Sequence, residues 1–407
     1  MAVFKLLSSY IDFLFLFFIS QMKIFVLLPR VPFPLEKGDK LRAFNQVKYL
    51  SAYNEIHLCA LNDTKVHPDA LIALKPFCKS IHIFNLPKWA RFVNLLKTLF
   101  NGKPFQIGYF YNKTNCRKIE TLINEIKPDR IFCQLVRVAE YVKNQKIKKT
   151  LDYQDVFSKG IERRIPSAPF YLKPLLKAEF KRLIKYETEI FDLFDNKTII
   201  SYPDRELIRH PEKNKIVVIP NGVDAGFYKP LVREKEFDLL FTGNMGYAPN
   251  INSAEFLVKK ILPIVVKKYH GIKLLIAGAN SSPLVYSLRS DNVTVTGWVK
   301  DMRECYAKAG IFIAPMQIGT GMQNKLLEAM AMQLPCITST LANSALGALN
   351  KHEILIGNSP EEYASLIFSL LEDEQTARHI GIQGYQFVIR NYNWKSINEK
   401  LNRLICS

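Results

Sequence analysis

At 407 residues, with 48% hydrophobic and 23% charged content, the chain is too long for one ordinary domain and too apolar for a disordered one. A formal net charge of +19 points to anionic partners, a class that holds nucleic acids, nucleotide phosphates and acidic lipids alike. Dispersed lysines and arginines without a helix-turn-helix, RNP or finger pattern argue against a nucleic-acid binder, and seven scattered cysteines without a C-x-x-C pair argue against a disulfide framework or zinc site and suit the cytoplasm.

The chain begins with an apolar extension, residues 1–21, whose core "FLFLFFI" is too short to span a bilayer and is not followed by a small-residue cleavage site. Met22 directly precedes the first buried-strand pattern, "KIFVLL", and reads as a second candidate start. A short segment resting on a membrane surface is the alternative. From there, β-rich apolar runs alternate with helix-length segments. Strands are predicted at 23–28, 56–61, 80–84, 130–134, 149–152, 198–202 and 215–219, then at 237–242, 272–277, 292–296, 311–314, 336–339 and 353–356. This reads as two Rossmann-like, doubly wound α/β domains: 22–226, then 227–385, with a final helical segment, 386–407, expected to pack back on the first domain. The junction falls in "IPNGVDAGFYKP", where Asn-Gly, a further Gly and two prolines break the periodicity. A cleft between two such domains would take a ligand at facing strand ends.

Basic aromatic stretches, "PKWARFVNLLKTLFNGKPF" (87–105) and "RRIPSAPFYLKPLLKAEFKRLIKYE", carry Trp89, Phe92, Leu96 and Leu99 at helical spacing among lysines and arginines. They suit either contact with an anionic membrane or an amphipathic helix packed on its own domain.

The most informative stretch is "GTGMQNKLLEAMA" (319–331), which follows the short apolar run "IFIAP" and precedes another, "LPCITST". Strand, glycine loop, helix and strand form a βαβ unit, whose loop lies at the carboxyl end of its first strand, where ligands gather. Gly319 and Gly321 allow close backbone approach, the helix start offers unpaired N–H groups to an anion, and Lys325 adds a cation one turn in. Glu328, three residues on, shares that face and suits a hydroxylated group. The bland alternative is a core helix with a solvated Lys-Glu pair. No histidine stands in a metal-ligand pattern, so no metal is expected.

Taken in order and spacing, "IPNGVD", "FTGNMGYAPN", "LLIAGAN", "VTGWVKDMRECYAKAGIFIAP" and "GTGMQNKLLEAMAMQLPCITS" resemble the glycosyl transferases group 1 family, family four of the GT-B glycosyltransferases. The likeness is nearest to sugar transferases of bacterial exopolysaccharide gene clusters. It covers about the last 190 residues with specific motifs, and the amino-terminal half more loosely through "LPRVPFPLEKGDKLR". The resemblance implies a retaining, metal-independent and cofactor-free transfer of a sugar, hexosyl in type, from a nucleotide diphosphate donor to a glycan or lipid-linked hydroxyl, with possible peripheral contact at the inner membrane face. A GT-B-shaped nucleotide-sugar binder without turnover, or a sugar-nucleotide epimerase of the same shape, are the alternatives.

The same resemblance assigns roles. Glu328 would accept hydrogen bonds from the donor ribose, and the base would lie against "GWVKD", touching Val299. Trp298 would pack over the nucleotide or fill the core. Gly278 would form a close turn facing the nucleotide. The family's earlier Glu falls at Thr320 and its diphosphate-binding Arg at Asn244, so neither is present; the Thr320 hydroxyl, with the loop N–H groups, would replace that Glu toward the donor sugar, or Thr320 is simply a turn residue. Lys325 is the substitute cation, helped by backbone amides from Gly243 to Met245 and by the loop Gly321, Met322, Gln323 and Asn324. In the first domain, Gly38 and Arg42 belong to a loop placed near donor phosphates or acceptor. Where many relatives have a His, this chain has Gln154, flanked by Asp152 and Asp155, either of which could orient an acceptor hydroxyl or cap a helix.

Overall fold

The computed structural model describes residues 21–35, 37–166, 168–319 and 321–407; the expectations for residues 1–20 and for Thr320 lie outside the described residues. The chain divides into two compact units. The first comprises the described residues up to Ile199, Leu207–Val217 and Asn398–Ser407; the second comprises Ile200–Glu206 and the described residues of Val218–Ile397.

The first unit is built on a seven-stranded sheet: β1 (Lys23–Leu28), β2 (Glu55–Asn62), β3 (Ser80–Asn85), β4 (Arg130–Gln134), β5 (Lys149–Asp152), β6 (Asn196–Ile199) and β7 (Val217–Val218). Their spatial order is β3-β2-β1-β4-β5-β6-β7. β1 lies parallel to both neighbours, with Ile24 opposite Ile56 on one side and Phe25 opposite Ile131 on the other. Ile24 to Leu28 are fully buried without alternation, the pattern of a strand covered by helices on both faces. Order therefore reverses between β1 and β4, which opens a crevice at their carboxyl ends.

The second unit repeats this plan with six strands: β8 (Phe237–Thr242), β9 (Leu274–Ala277), β10 (Val293–Gly297), β11 (Ala309–Ala314), β12 (Cys336–Thr338) and β13 (Leu355–Ile356), in the order β10-β9-β8-β11-β12-β13. Its reversal lies between β8 and β11. All thirteen predicted strands are present. Five, β6, β7, β9, β12 and β13, are shorter than expected, and for β6 and β13 the local reason is plain. Ser201 does not extend β6 because its hydroxyl accepts from the Asp204 amide at 3.2 Å and opens a helical turn. Glu353 does not join β13 because its amide closes a turn onto Leu349 O at 2.8 Å.

Five helices concern function: α1 (Gly38–Leu50), α2 (Lys88–Asn101), α3 (Ala248–Phe256), α4 (Asn324–Ala331) and α5 (Trp394–Cys406). Leu326, Leu327 and Met330 bury one side of α4 completely, as its sequence stripe requires. α5 begins in the second unit, where Trp394 closes over Gly222, and its last turns belong to the first, where Ile405 O accepts from Arg130 Nε at 3.0 Å.

On α2 the structure corrects one reading. Only Ala90 and Thr98 are buried, while Trp89, Phe92, Leu96, Leu99 and Phe100 are exposed, Phe100 by 90%. The apolar stripe of this helix therefore does not pack on its own unit. Phe170 and Tyr171 are likewise exposed.

Candidate functional site

At the carboxyl edge of the second sheet, two glycines let neighbouring loops touch. A Cβ on Gly278 would stand 1.8 Å from Gly243 O, and Gly278 has φ 144°, which disfavours any side chain. This contact ties the end of β8 to the end of β9. It also spends the amides expected to bind an anion: Gly243 N donates to Ala277 O at 3.1 Å and Met245 N to Ala279 O at 2.8 Å. The expectation that the Gly243–Met245 amides neutralise a ligand is thereby corrected for those two groups. Asn244 turns its carboxamide back into the loop, where Oδ1 accepts from Gly246 N at 3.0 Å and from Asn280 Nδ2 at 3.4 Å.

Opposite this loop stands Lys325, in the first turn of α4. Its Nζ donates to Asn250 Oδ1 at 2.5 Å, lies 4.6 Å from the centre of the Phe241 ring, and would be 3.2 Å from a Cβ on Gly243. Asn250 is fixed by its other end, since Nδ2 donates to Asn244 O at 2.9 Å. The start of α4 is pinned as well, because Asn221 Nδ2 of "IPNGVD" donates to Asn324 Oδ1 at 3.0 Å. Burial pushes the Lys325 ammonium down to about 7, partly offset by the Glu328 carboxylate. Such a cation, paired at close range with a neutral amide and, at 3.9 Å, with the Met316 thioether, is set to receive an anion.

One turn along, the Glu328 carboxylate accepts from Tyr306 Oη at 2.9 Å and from the Tyr228 hydroxyl. Tyr306 Oη is itself 2.9 Å from Thr242 Oγ1, so the carboxylate is oriented from beneath. Burial pushes Glu328 up to about 7, against the two tyrosine hydroxyls and Lys325. Asn250, Asn221, Tyr228 and Tyr306 were missed as site residues in the sequence, although all lie inside or beside the motif segments.

Of the remaining expected contacts, Trp298 is 63% exposed, which rules out its core-filling reading. Val299 and Met322 are partly buried and pack against the core of the second unit. Gln323 precedes α4 and donates Nε2 to Gly321 O at 2.9 Å.

In the first unit, two expectations are corrected. Arg42 and Asp152 are fully buried and bonded to each other, Nε to Oδ2 at 2.7 Å and Nη2 to Oδ1 at 3.1 Å. Asp152 also accepts from Gln46 Nε2 at 3.0 Å and Thr198 Oγ1 at 2.9 Å. A carboxylate so occupied has no capacity left for an acceptor, and the pair instead ties α1 to β5 and β6. Gly38 is the first residue of α1 rather than a loop residue before it, and it is exposed with nothing within 4 Å of an added Cβ. Asp155 is exposed just past β5.

Residues 236–373 match the family model for glycosyl transferases group 1. A relative described as an uncharacterized 44.6 kDa protein in the cps region of Klebsiella pneumoniae is 22% identical over 401 residues, covering 92% of this chain and 97% of that protein. Among solved structures, sucrose-phosphate synthase from Thermosynechococcus elongatus superposes with a TM-score of 0.69 at 14% identity, over 94% of this chain and 98% of the other. Anabaena Alr3699/HepE in complex with UDP and glucose gives 0.68 at 12% identity, over 95% and 100%. The fold is therefore that of these GT-B structures, and the family match, which covers about a third of the chain and ends at Asp373, makes this part similar to glycosyl transferases group 1. The match lies within the second unit, and the likeness to exopolysaccharide-cluster transferases fits the cps-region relative.

Proposed function

We propose that the protein transfers a hexosyl group from a nucleotide diphosphate sugar to a hydroxyl of a glycan or lipid-linked acceptor, with retention and without a metal, in bacterial cell-surface polysaccharide synthesis. The observation that carries this reading is the placement of Lys325 and Glu328 on successive turns of α4, at the carboxyl end of β11, beside the Gly243–Gly278 contact. Lys325 is the group for the diphosphate and Glu328 the group for the ribose hydroxyls. The UDP in the Anabaena structure's description supports a uridine nucleotide as the first donor to try.

Departure of a nucleoside diphosphate leaves about one extra negative charge on the phosphate as the glycosidic bond breaks. Lys325, held by a neutral partner, meets that charge without first giving up a carboxylate. In a front-face transfer the departing phosphate oxygen takes the acceptor's proton, so no protein base is required and catalysis rests on positioning and charge. Among the described residues there is no group of three His, Cys, Asp or Glu that could hold a metal ion.

No helix of the described residues is long and apolar enough to cross a membrane. The exposed face of α2, with Trp89 and Phe100 beside Lys88 and Lys97, supports peripheral contact with an anionic membrane at the cytoplasmic side, where a lipid-linked acceptor would be met. A second reading, donor binding without turnover, is favoured by the neutral Asn244 at the position where the family resemblance expects a cation. Incubating the protein with UDP-sugars and measuring UDP release decides between them, since binding without release over the whole panel would sink the enzymatic reading.

A further inference from the structure

In the first unit, the crevice at the strand reversal carries an arginine on each side: Arg30, two residues beyond β1, and Arg137, three beyond β4. Arg30 is engaged, with Nη1 3.1 Å from Asp39 Oδ2 and Nε 3.9 Å from Asp63 Oδ1. Arg137 is held differently. Its Nε and Nη2 donate to the neutral Gln106 Oε1 at 3.1 and 2.8 Å, and its guanidinium lies over two rings, 4.4 Å from the centre of Phe157 and 5.4 Å from that of Phe110. Among the described residues no carboxylate is within 4 Å of its nitrogens. A guanidinium has five N–H donors and Gln106 occupies two, so a planar fork remains, fixed by stacking and open to a bidentate anion.

Burial, then repulsion from Arg30, lower the Arg137 guanidinium to about 10, against attraction from Asp39, Asp155 and Asp63. An arriving anion would relieve that. A second orphan group stands at the neighbouring strand end, where Leu135 N donates to Asp152 O at 2.7 Å and so holds the β4 and β5 exits together. Gln154, 6% exposed, has a buried Oε1 with no hydrogen-bond partner. A buried carbonyl oxygen in that state is destabilising until a donor such as a sugar hydroxyl reaches it.

We propose that this crevice recognises an acidic saccharide, its carboxylate or phosphate gripped by the fork of Arg137 and a neighbouring hydroxyl given to Gln154. The site is thus a charge filter for the acceptor; this rests on the reading that the chain transfers sugar, but its ligand is independent of the donor. The contacts are confined to the first unit, so they are testable without turnover.

The test is titration of the full chain with glucuronate, glucose phosphate and glucose, followed by saturation-transfer NMR, for the wild type, Arg137→Gln, Arg137→Lys and Gln154→Ala. The expected result is that one anionic sugar binds at least roughly tenfold tighter than glucose, the margin of a charge-assisted pair. Glucuronate as the winner assigns a carboxylate, glucose phosphate a phosphate. Arg137→Gln is expected to abolish the preference, Arg137→Lys to restore part of it, and Gln154→Ala to weaken all three sugars. Equal binding of all three sugars, or a preference that survives Arg137→Gln, overturns the proposal; should that variant unfold, an undiminished preference in Arg137→Lys together with unchanged binding in Gln154→Ala does so. UDP binding, measured alongside, reports on the second unit, so its loss or absence marks failure of the donor reading instead.

Discussion

Lys325 Nζ rests 2.5 Å from Asn250 Oδ1, and that amide is in turn tied by 2.9 Å to the backbone of Asn244. The cation is thus aimed by a residue from another helix rather than by a carboxylate. Replacing Lys325 with Ala is expected to weaken UDP by roughly ten- to a hundredfold while leaving uridine nearly unaffected, the loss of one charge-assisted bond. Glu328→Gln should weaken UDP and uridine alike. Calorimetry with both ligands separates the two patterns, and unchanged UDP affinity in both variants would refute the assignments.

Donor binding should be bell-shaped in pH, centred near neutrality. Lys325 is lowered to about 7, and a bound diphosphate favours its charged form, so affinity falls as pH rises beyond that point. Glu328 is raised to about 7, and only its ionised form accepts from both ribose hydroxyls, so affinity also falls as pH drops below it. UDP titrations from about pH 5.5 to about pH 8.5 test this, with Lys325→Met flattening the alkaline limb and Glu328→Gln the acid one. A flat profile in the wild type would contradict both roles.

Much of this was legible in the sequence, for reasons that particular residues make plain. Parallel strands covered on both faces show as uninterrupted apolar runs, so "KIFVLL" and "FDLLF" were visible at once. Glycines at strand exits, such as Gly278, mark close approach. Asn250 was not legible as a partner of Lys325, 75 residues away, because a neutral amide has no periodicity or charge to betray it. Arg42 and Asp152 were misplaced in the acceptor site for the opposite reason: charges near a strand end suggest a ligand, and only the fold reveals that the two meet in the core.

That buried pair gives a stability prediction. Arg42→Met would strand Asp152 without its guanidinium and is expected to cost about 3–5 kcal/mol in urea unfolding, with little change in UDP affinity if the protein remains folded. A loss of under about 1 kcal/mol would show that Asp152 is served well enough by Gln46 and Thr198.

The loop contact predicts a contrast between glycines. Gly278→Ala, with its Cβ only 1.8 Å from Gly243 O, should destabilise by about 1–3 kcal/mol or more and lower UDP affinity. Gly38→Ala meets open space and should stay within about 0.5 kcal/mol of the parent. Thermal melts of the two variants compare them directly.

For the exposed face of α2, Trp89→Ser with Phe100→Ser should reduce co-sedimentation with anionic phospholipid vesicles by roughly tenfold or more, as each removes an aromatic anchor. Retained UDP release with a soluble acceptor would show that the face serves the membrane and not the chemistry.

The most direct measurement is a crystal of the protein soaked with UDP. The account predicts phosphate oxygens within about 3 Å of Lys325 Nζ and ribose hydroxyls on the Glu328 carboxylate. Phosphates found elsewhere, with Lys325 still bound only to Asn250, would contradict it.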